Sequence, residues 1–252
     1  MIDAANIPSV ENKLGILFLI PTHVTAATMQ NTQLVLPTQV IATAVGLTHY
    51  IAENAKTARM FLKAIGVTRP LAEISIAELD KHTRQSQQSD YSSLLAPLLA
   101  GSDVGLVSEA GAPAVADPGA LVVAAAHRVG IPVKPLVGPS SLLLALMASG
   151  LNGQSFVFHG YLPQGKADRA RRIIHVERES KRQQQTQMFI ETPYRNQALL
   201  SDLLTTLSPT TQLCVATDLT GAMESVRTKS VADWRASNTS LDKLPTIFLL
   251  LG

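Results

Sequence analysis

The chain has 252 residues, of which 46% are apolar and 16% charged, and its net charge is +2. That composition suits one large or two small packed domains; it speaks against disorder and against a molecule drawn as a whole to polyanions. Aromatic residues make up only 4% and Cys214 is the single cysteine. These counts argue against binding single-stranded nucleic acid by base stacking, and exclude an intramolecular disulfide and a cysteine-based metal cluster.

Residues 1–12 read as a loosely held leader. Gly15–Ile20 is an apolar run between Lys13 and Pro21. It reads as a buried strand, and six residues are too few for a signal-peptide core or a membrane span. A soluble, cytoplasmic protein is expected. Pro37–Ala44 reads as a helix and Leu47–Ala52 as a strand. Lys56–Ile65 is a helix with Ala58, Phe61, Leu62 and Ile65 on one face, stopped by Gly66. Leu71–Ile76 is a short strand, Thr83–Asp90 a surface loop, and Tyr91–Ala100 a helix ended by Gly101. Val104–Val107 is a strand, Ala120–Val129 a helix closed by Gly130, Pro132–Val137 a strand and Leu142–Ala148 a helix. Strands and helices alternating at this length make βαβ units around a mainly parallel sheet.

The texture changes after Gly150–Gly153. Phe156–Leu162 is rich in aromatics and Gly165–Gln187 reads as one long polar helix. Met188–Glu191 is a strand, Gln197–Leu207 a helix and Gln212–Thr217 a strand. Val226–Thr228 and Thr246–Leu251 read as strands flanking a short helix around Trp234. The expected architecture is two α/β domains, residues 13–137 and 138–252, with mainly parallel and mixed sheets and a ligand cleft between them.

The chemistry concentrates in a few loops. Ser108–Gly119, SEAGAPAVADPG, follows a strand and precedes a helix. Small side chains there let backbone N–H groups approach a ligand, although a tight structural connection reads the same way. Val137-Gly138-Pro139-Ser140-Ser141 also leaves a strand and opens a helix, so Ser140 and Ser141 can join the first loop around one ligand. Asp117 reads first as a helix N-cap with Pro118 at the first helical position. Glu191 and Arg195 lie just past a buried strand, as a helix-capping pair or as cleft residues. Lys166–Arg182 carries seven basic against three acidic residues, either a solvated helix face or a phosphate-contacting patch for RNA. The histidines are scattered without metal-ligand spacing, so no metal is expected. No dinucleotide fingerprint, P-loop or nucleophile elbow occurs.

Taken in order, these segments resemble the tetrapyrrole methylase superfamily of S-adenosylmethionine methyltransferases, and within it the small-subunit ribosomal RNA cytidine 2′-O-methyltransferase branch. That branch's S-D-A-G-T-P-x-x-x-D-P-G loop stands here as Ser108-Glu109-Ala110-Gly111-Ala112-Pro113 with Asp117-Pro118-Gly119. Its P-G-P-x-A turn is similar to Val137–Ser141, its F-x-G-[FY]-L-P segment to Phe158–Pro163, and its Y-E-S-x-H-R to Ile190–Arg195. The substrate-side loops depart more. P-T-P-I-G-N is here Pro21-Thr22-His23-Val24-Thr25-Ala26, A-E-D-T-R is Ala52-Glu53-Asn54-Ala55-Lys56, and H-N-E keeps only His82.

The resemblance implies a homodimer that binds S-adenosylmethionine through Glu109, Gly111, Ala112, Pro113, Val115, Ser140, Ser141, Ile190, Ala216 and Thr246. Glu191, Arg195, Glu53 and His82 become the candidates for catalysis. A ribosomal RNA 2′-O-methyltransferase is the expected activity. The alternatives are methylation of a tetrapyrrole or other small molecule, and a cofactor-binding protein that has lost catalysis.

Overall fold

A computed structural model describes residues 13–25, 32–79, 91–237 and 239–252. The leader, the 83–90 loop and His82 lie outside the described residues. The chain forms two compact units. Among the described residues the first gathers 13–22 and 32–138, and the second 23–25 and 139–252.

The first unit runs β1 (Leu17–Ile20), α1 (Thr38–Gly46), β2 (His49–Ala52), α2 (Ala55–Ala64), a 3-10 turn (Leu71–Glu73), β3 (Ser75–Glu78), α3 (Ser92–Leu99), β4 (Val104–Val107), α4 (Gly119–Arg128) and β5 (Val133–Pro135). The sheet order is β3-β2-β4-β1-β5 and every pairing is parallel. A parallel sheet has to be covered on both faces, and the alternation along each strand divides its side chains between two cores. Phe18, Ile20 and Tyr50 pack with Val40, Ala44, Phe61 and Leu62 of α1 and α2. Leu17, Ile51 and Leu106 pack with Leu94, Leu98, Val122 and Ala126 of α3 and α4. Gly105 in β4 is sterically required. A Cβ there would lie 2.7 Å from Ile20 Cδ1 and 2.8 Å from Tyr50 Cε1.

The order of strands creates a switch point. Adjacent β1 and β4 send their connections in opposite directions, β1 to β2 through α1 and β4 to β5 through α4. The two connections run on opposite faces of the sheet, α1 on one and α4 on the other, and the loops after β1 and β4 leave from its carboxyl edge, where doubly wound folds bind ligands.

The second unit comprises α5 (Ser141–Ser149), β6 (Phe156–Tyr161), α6 (Lys166–Gln183), β7 (Thr186–Glu191), a 3-10 turn (Pro193–Arg195), α7 (Asn196–Thr206), β8 (Gln212–Thr217), β9 (Ser225–Ser230), α8 (Val231–Ala236) and β10 (Thr246–Leu251). Its sheet order is β6-β7-β10-β8-β9. Only β6–β7 is parallel, so this is the mixed sheet. On one face Ala145 and Leu146 of α5 cover Met188, Cys214, Ala216, Ile247 and Leu249. On the other, α6, α7 and α8 cover Phe189, Leu213, Val215, Phe248 and Leu250. The Phe189 and Phe248 rings stack with centroids 5.9 Å apart. Trp234 is fully buried and its indole N–H donates to the Leu213 carbonyl at 2.7 Å.

Several boundaries differ from the sequence expectation. Leu71–Ile76 is not a strand: the chain makes a 3-10 turn after Pro70 and pairs only from Ser75. The long polar helix stops at Gln183, because Gln184 turns left-handed (φ 50°, ψ 45°). β7 starts at Thr186, two residues before the expected start. Thr186 and Gln187 are buried polar residues whose side chains bond to the Asn152 and Gln185 carbonyls. Their polarity conceals the strand. β9 is twice the expected length. Pro118 precedes α4 rather than opening it, and Asp117 caps from one residue further back, its Oδ1 accepting the Gly119 N–H.

Candidate functional site

In the first unit the loop after β4 is held against the residues that follow β1. Thr22 N–H donates to the Gly111 carbonyl at 2.9 Å, and Thr22 Oγ1 donates to the Ser108 carbonyl at 3.3 Å. The Ser108 hydroxyl bonds the same Gly111 carbonyl at 2.9 Å. Gly138, at the end of the segment after β5, lies against Pro21. A Cβ there would come within 2.3 Å of the proline ring. The segments leaving β4, β1 and β5 thus converge at one edge of the sheet.

The backbone of this loop is strained where its side chains are smallest. Gly111 has φ 71°, and Ala114 and Ala116 have φ 65° and 58°. Left-handed alanine is uncommon and costs about 1–3 kcal/mol unless its surroundings impose it. Alternation of left- and right-handed residues aims successive N–H groups to one side, the concavity that holds anionic or carbonyl groups. None of the backbone N–H groups from Glu109 to Ala116 donates to a described residue. Glu109, Ala110, Val115 and Ala116 are exposed, whereas Gly111 and Pro113 are buried. From Ala110 to Ala116 the loop is a cradle of backbone donors without acceptors among the described residues, and no side chain there is bulkier than Val115. That suits a small polar ligand such as S-adenosylmethionine.

Glu109 is not free to swing across this cradle. Its Oε1 accepts the Thr57 hydroxyl of α2 at 2.6 Å. Thr57, absent from the sequence expectation, ties α2 to the loop. Glu53 sits just after β2, at the same edge of the parallel sheet.

In the second unit the Glu191 side chain is 2% exposed and the Arg195 side chain 37%. One carboxylate oxygen of Glu191 accepts three bonds: Thr192 N–H at 2.7 Å, Arg195 Nε at 3.0 Å and Arg195 Nη2 at 2.6 Å. The pair therefore closes the turn after β7 and fixes one edge of the guanidinium, but it is not a helix cap: neither the 3-10 turn nor α7 takes a side-chain cap. Arg195 Nη1 donates to no described residue.

The register of the strand ends separates the three remaining cofactor candidates. Ile247 pairs with Ile190 and with Ala216, and Thr246 pairs with Glu191 and with Thr217. Directly opposed residues share a face and successive residues alternate. Ile190 and Ala216 thus project to the α5 side, and Thr246 projects to the other side beside Glu191. One ligand meets all three only by passing over the strand ends or along the backbone. Ser140 precedes α5 without a side-chain capping bond, and Ser141 is its first residue.

Four of the seven cations of the basic helix are paired with carboxylates of the same unit, and a fifth with a histidine ring. Arg169 bridges Asp202 and also donates to the Pro163 and Gln164 carbonyls. Arg171 pairs with Asp168, Arg182 with Glu179 and Lys181 with Glu177, while Arg172 donates to the His159 ring. Five of its seven cations have these partners. No group of three His, Cys, Asp or Glu among the described residues is placed to hold a metal ion. No described helix is long and apolar enough to cross a membrane.

A doubly wound α/β unit with a strained small-residue loop at its switch point, and a mixed α/β unit beside it in the chain, define a ligand-binding two-unit α/β protein. Residues 38–234 match the family described as Tetrapyrrole (Corrin/Porphyrin) Methylases, and the chain belongs to it. It is 34% identical over 180 residues to Ribosomal RNA small subunit methyltransferase I of Xylella fastidiosa, covering 71% of this chain and 62% of that protein. Against the protein of that name from Pseudomonas aeruginosa it is 29% identical over 204 residues, 80% of this chain and 68% of that one. The chain thus spans roughly three fifths to two thirds of the length of these relatives. The crystal structure of the methyltransferase CobJ superposes with a TM-score of 0.58 at 15% identity, over 96% of this chain and 94% of that one. The expected family is therefore found, with the expected pair of mainly parallel and mixed sheets.

Proposed function

We propose that the chain is an S-adenosylmethionine-dependent methyltransferase that methylates a ribose 2′-hydroxyl of ribosomal RNA. The observation that carries the cofactor is the cradle of open backbone donors at Gly111–Ala116. The names borne by relatives from Xylella and Pseudomonas support ribosomal RNA as the acceptor.

When bound, S-adenosylmethionine supplies a methyl group on a positively charged sulfur. The residues the family resemblance assigns to holding it are Glu109, Gly111, Ala112, Pro113, Val115, Ser140, Ser141, Ile190, Ala216 and Thr246. A ribose hydroxyl is a weak nucleophile at neutral pH, so what the protein contributes first is alignment, worth about 7–11 kcal/mol at its best. Arg195 binds a backbone phosphate near the acceptor. Glu191 acts through it, since its carboxylate is enclosed and already carries three donors. Its role is to orient the guanidinium rather than to take a proton. Glu53 is the described carboxylate we assign to receive the hydroxyl proton; His82 is the second candidate. A cytoplasmic setting, which a lone buried thiol at Cys214 suits, and a homodimer complete the reading.

The test is transfer of labelled methyl from S-adenosylmethionine to small ribosomal subunits that lack the modification, with calorimetry of cofactor binding alongside. Incorporation into ribose supports the reading. Cofactor binding without incorporation, accompanied by methylation of a porphyrin or corrin, overturns the RNA acceptor; no cofactor binding overturns the whole reading.

A further inference from the structure

Tyr194 is 81% exposed, more than any other large apolar or aromatic residue described. It sits in the turn after β7, between the turn's proline and Arg195. The Lys243 ammonium lies over its ring at 5.5 Å from the centroid. Two features bring these residues together. The fully buried Asn196 donates from its side-chain amide to the Leu244 carbonyl at 2.8 Å, joining the start of α7 to the segment before β10. Next to it, Glu191 pairs across the strands with Thr246 and fixes Arg195. One exposed ring and two cations are thus carried on the turn after β7 and the segment before β10, with Asp242 the acid beside Lys243.

We infer that this turn is the RNA-contacting surface, with an unstacked base lying on Tyr194 and the adjoining phosphates meeting Lys243 and Arg195. The inference rests on the RNA reading above and locates its contact. A planar ring with a cation beside it is the arrangement by which proteins hold single-stranded RNA, where stacking accepts any base and cations track the backbone. The low aromatic content argues against stacking in general, but the exposed Tyr194 ring is one platform that the composition did not foresee. The basic face of α6 is a weaker candidate, because five of its cations are already bound to partners of the same unit. Exposure to this degree also means that the ring contributes little to the core, so its replacement leaves the fold intact.

The experiment is titration of the full chain with RNA extracted from small ribosomal subunits, followed by anisotropy at several salt concentrations, with S-adenosylmethionine binding measured separately. Tyr194→Ala is expected to weaken RNA binding about 5- to 100-fold. Tyr194→Phe is expected to keep it, because stacking does not need the hydroxyl. Lys243→Gln should reduce the salt slope by about one, and Asp242→Asn should tighten binding. Cofactor affinity should stay at the wild-type value in all four. If the wild type binds RNA and Tyr194→Ala binds as well, this surface is wrong and the RNA reading stands. If the wild type binds no RNA, the RNA reading itself falls.

Discussion

Glu191 and Arg195 meet at 2.6 Å with the carboxylate enclosed and the guanidinium partly in solvent. One end of the pair belongs to the core and the other to whatever binds at the strand ends. Glu191→Gln keeps the shape but weakens the hold on Arg195. Its expected effects are a fall in kcat of about tenfold or more through lost alignment and a stability loss of about 1–3 kcal/mol. Cofactor affinity should be unchanged. Full turnover and full substrate affinity in this variant would remove both residues from the site.

The cradle after β4 admits small side chains only. Ala112→Trp should abolish S-adenosylmethionine binding in calorimetry while the melting temperature stays within a few degrees, because Ala112 is only half-buried. Micromolar affinity in that variant would dissociate the cofactor from this loop.

Arg169 and Asp202 have side chains only 12% and 17% exposed, and Arg169 also serves two carbonyls. Arg169→Ala leaves an enclosed carboxylate and two carbonyls without their donor. A stability loss of about 2–4 kcal/mol is expected in chemical denaturation. RNA affinity should change less than in Tyr194→Ala. The reverse ranking would return the RNA contact to α6.

His159 bonds Gln187 Oε1 through Nε2 at 2.6 Å and accepts from Arg172 at Nδ1. That network assigns a neutral ring protonated on Nε2. Burial lowers its pKa, as do the charges of Arg172 and His175, against an opposing contribution from the Gln187 bond. The folded protein therefore takes up this proton at lower pH than the unfolded chain. The resulting stability is complete above the usual value near 6.5 and is lost as the pH falls through it towards the folded value. Denaturation midpoints at pH 7.5 and 5.5 should show this loss in the wild type and a smaller one in His159→Gln. Equal slopes would rule the histidine out.

Much of this was legible in the sequence, for reasons that differ by element. Val104–Val107, Gln212–Thr217 and Thr246–Leu251 are bounded in the structure where the sequence places them, because each is a short apolar run stopped by turn residues. Glu191 and Arg195 are legible together because both lie just past a buried strand, and the structure joins them as an ion pair. The end of α6 was hidden because Gln183–Gln187 is uniformly polar, and only the left-handed turn at Gln184 marks it. Thr57 and Lys243 were not legible, since each acts on a partner about fifty residues away. Nor could an apolar pattern reveal that Thr246 faces away from Ile190 and Ala216. That follows from a register set by three strands together.

The same register limits how the second unit can change over evolutionary time. β10 is flanked on both sides, with its isoleucine row under α5 and its threonine row beside Glu191. A single-residue insertion or deletion in β10 would exchange the rows, setting the Thr246 hydroxyl into an apolar core and Ile247 against an enclosed ion pair. Both neighbouring strands would reject it at once. Substitutions in β10 have to keep its buried apolar volume, and length variation has to be absorbed in the connections, such as 218–224 and 239–245.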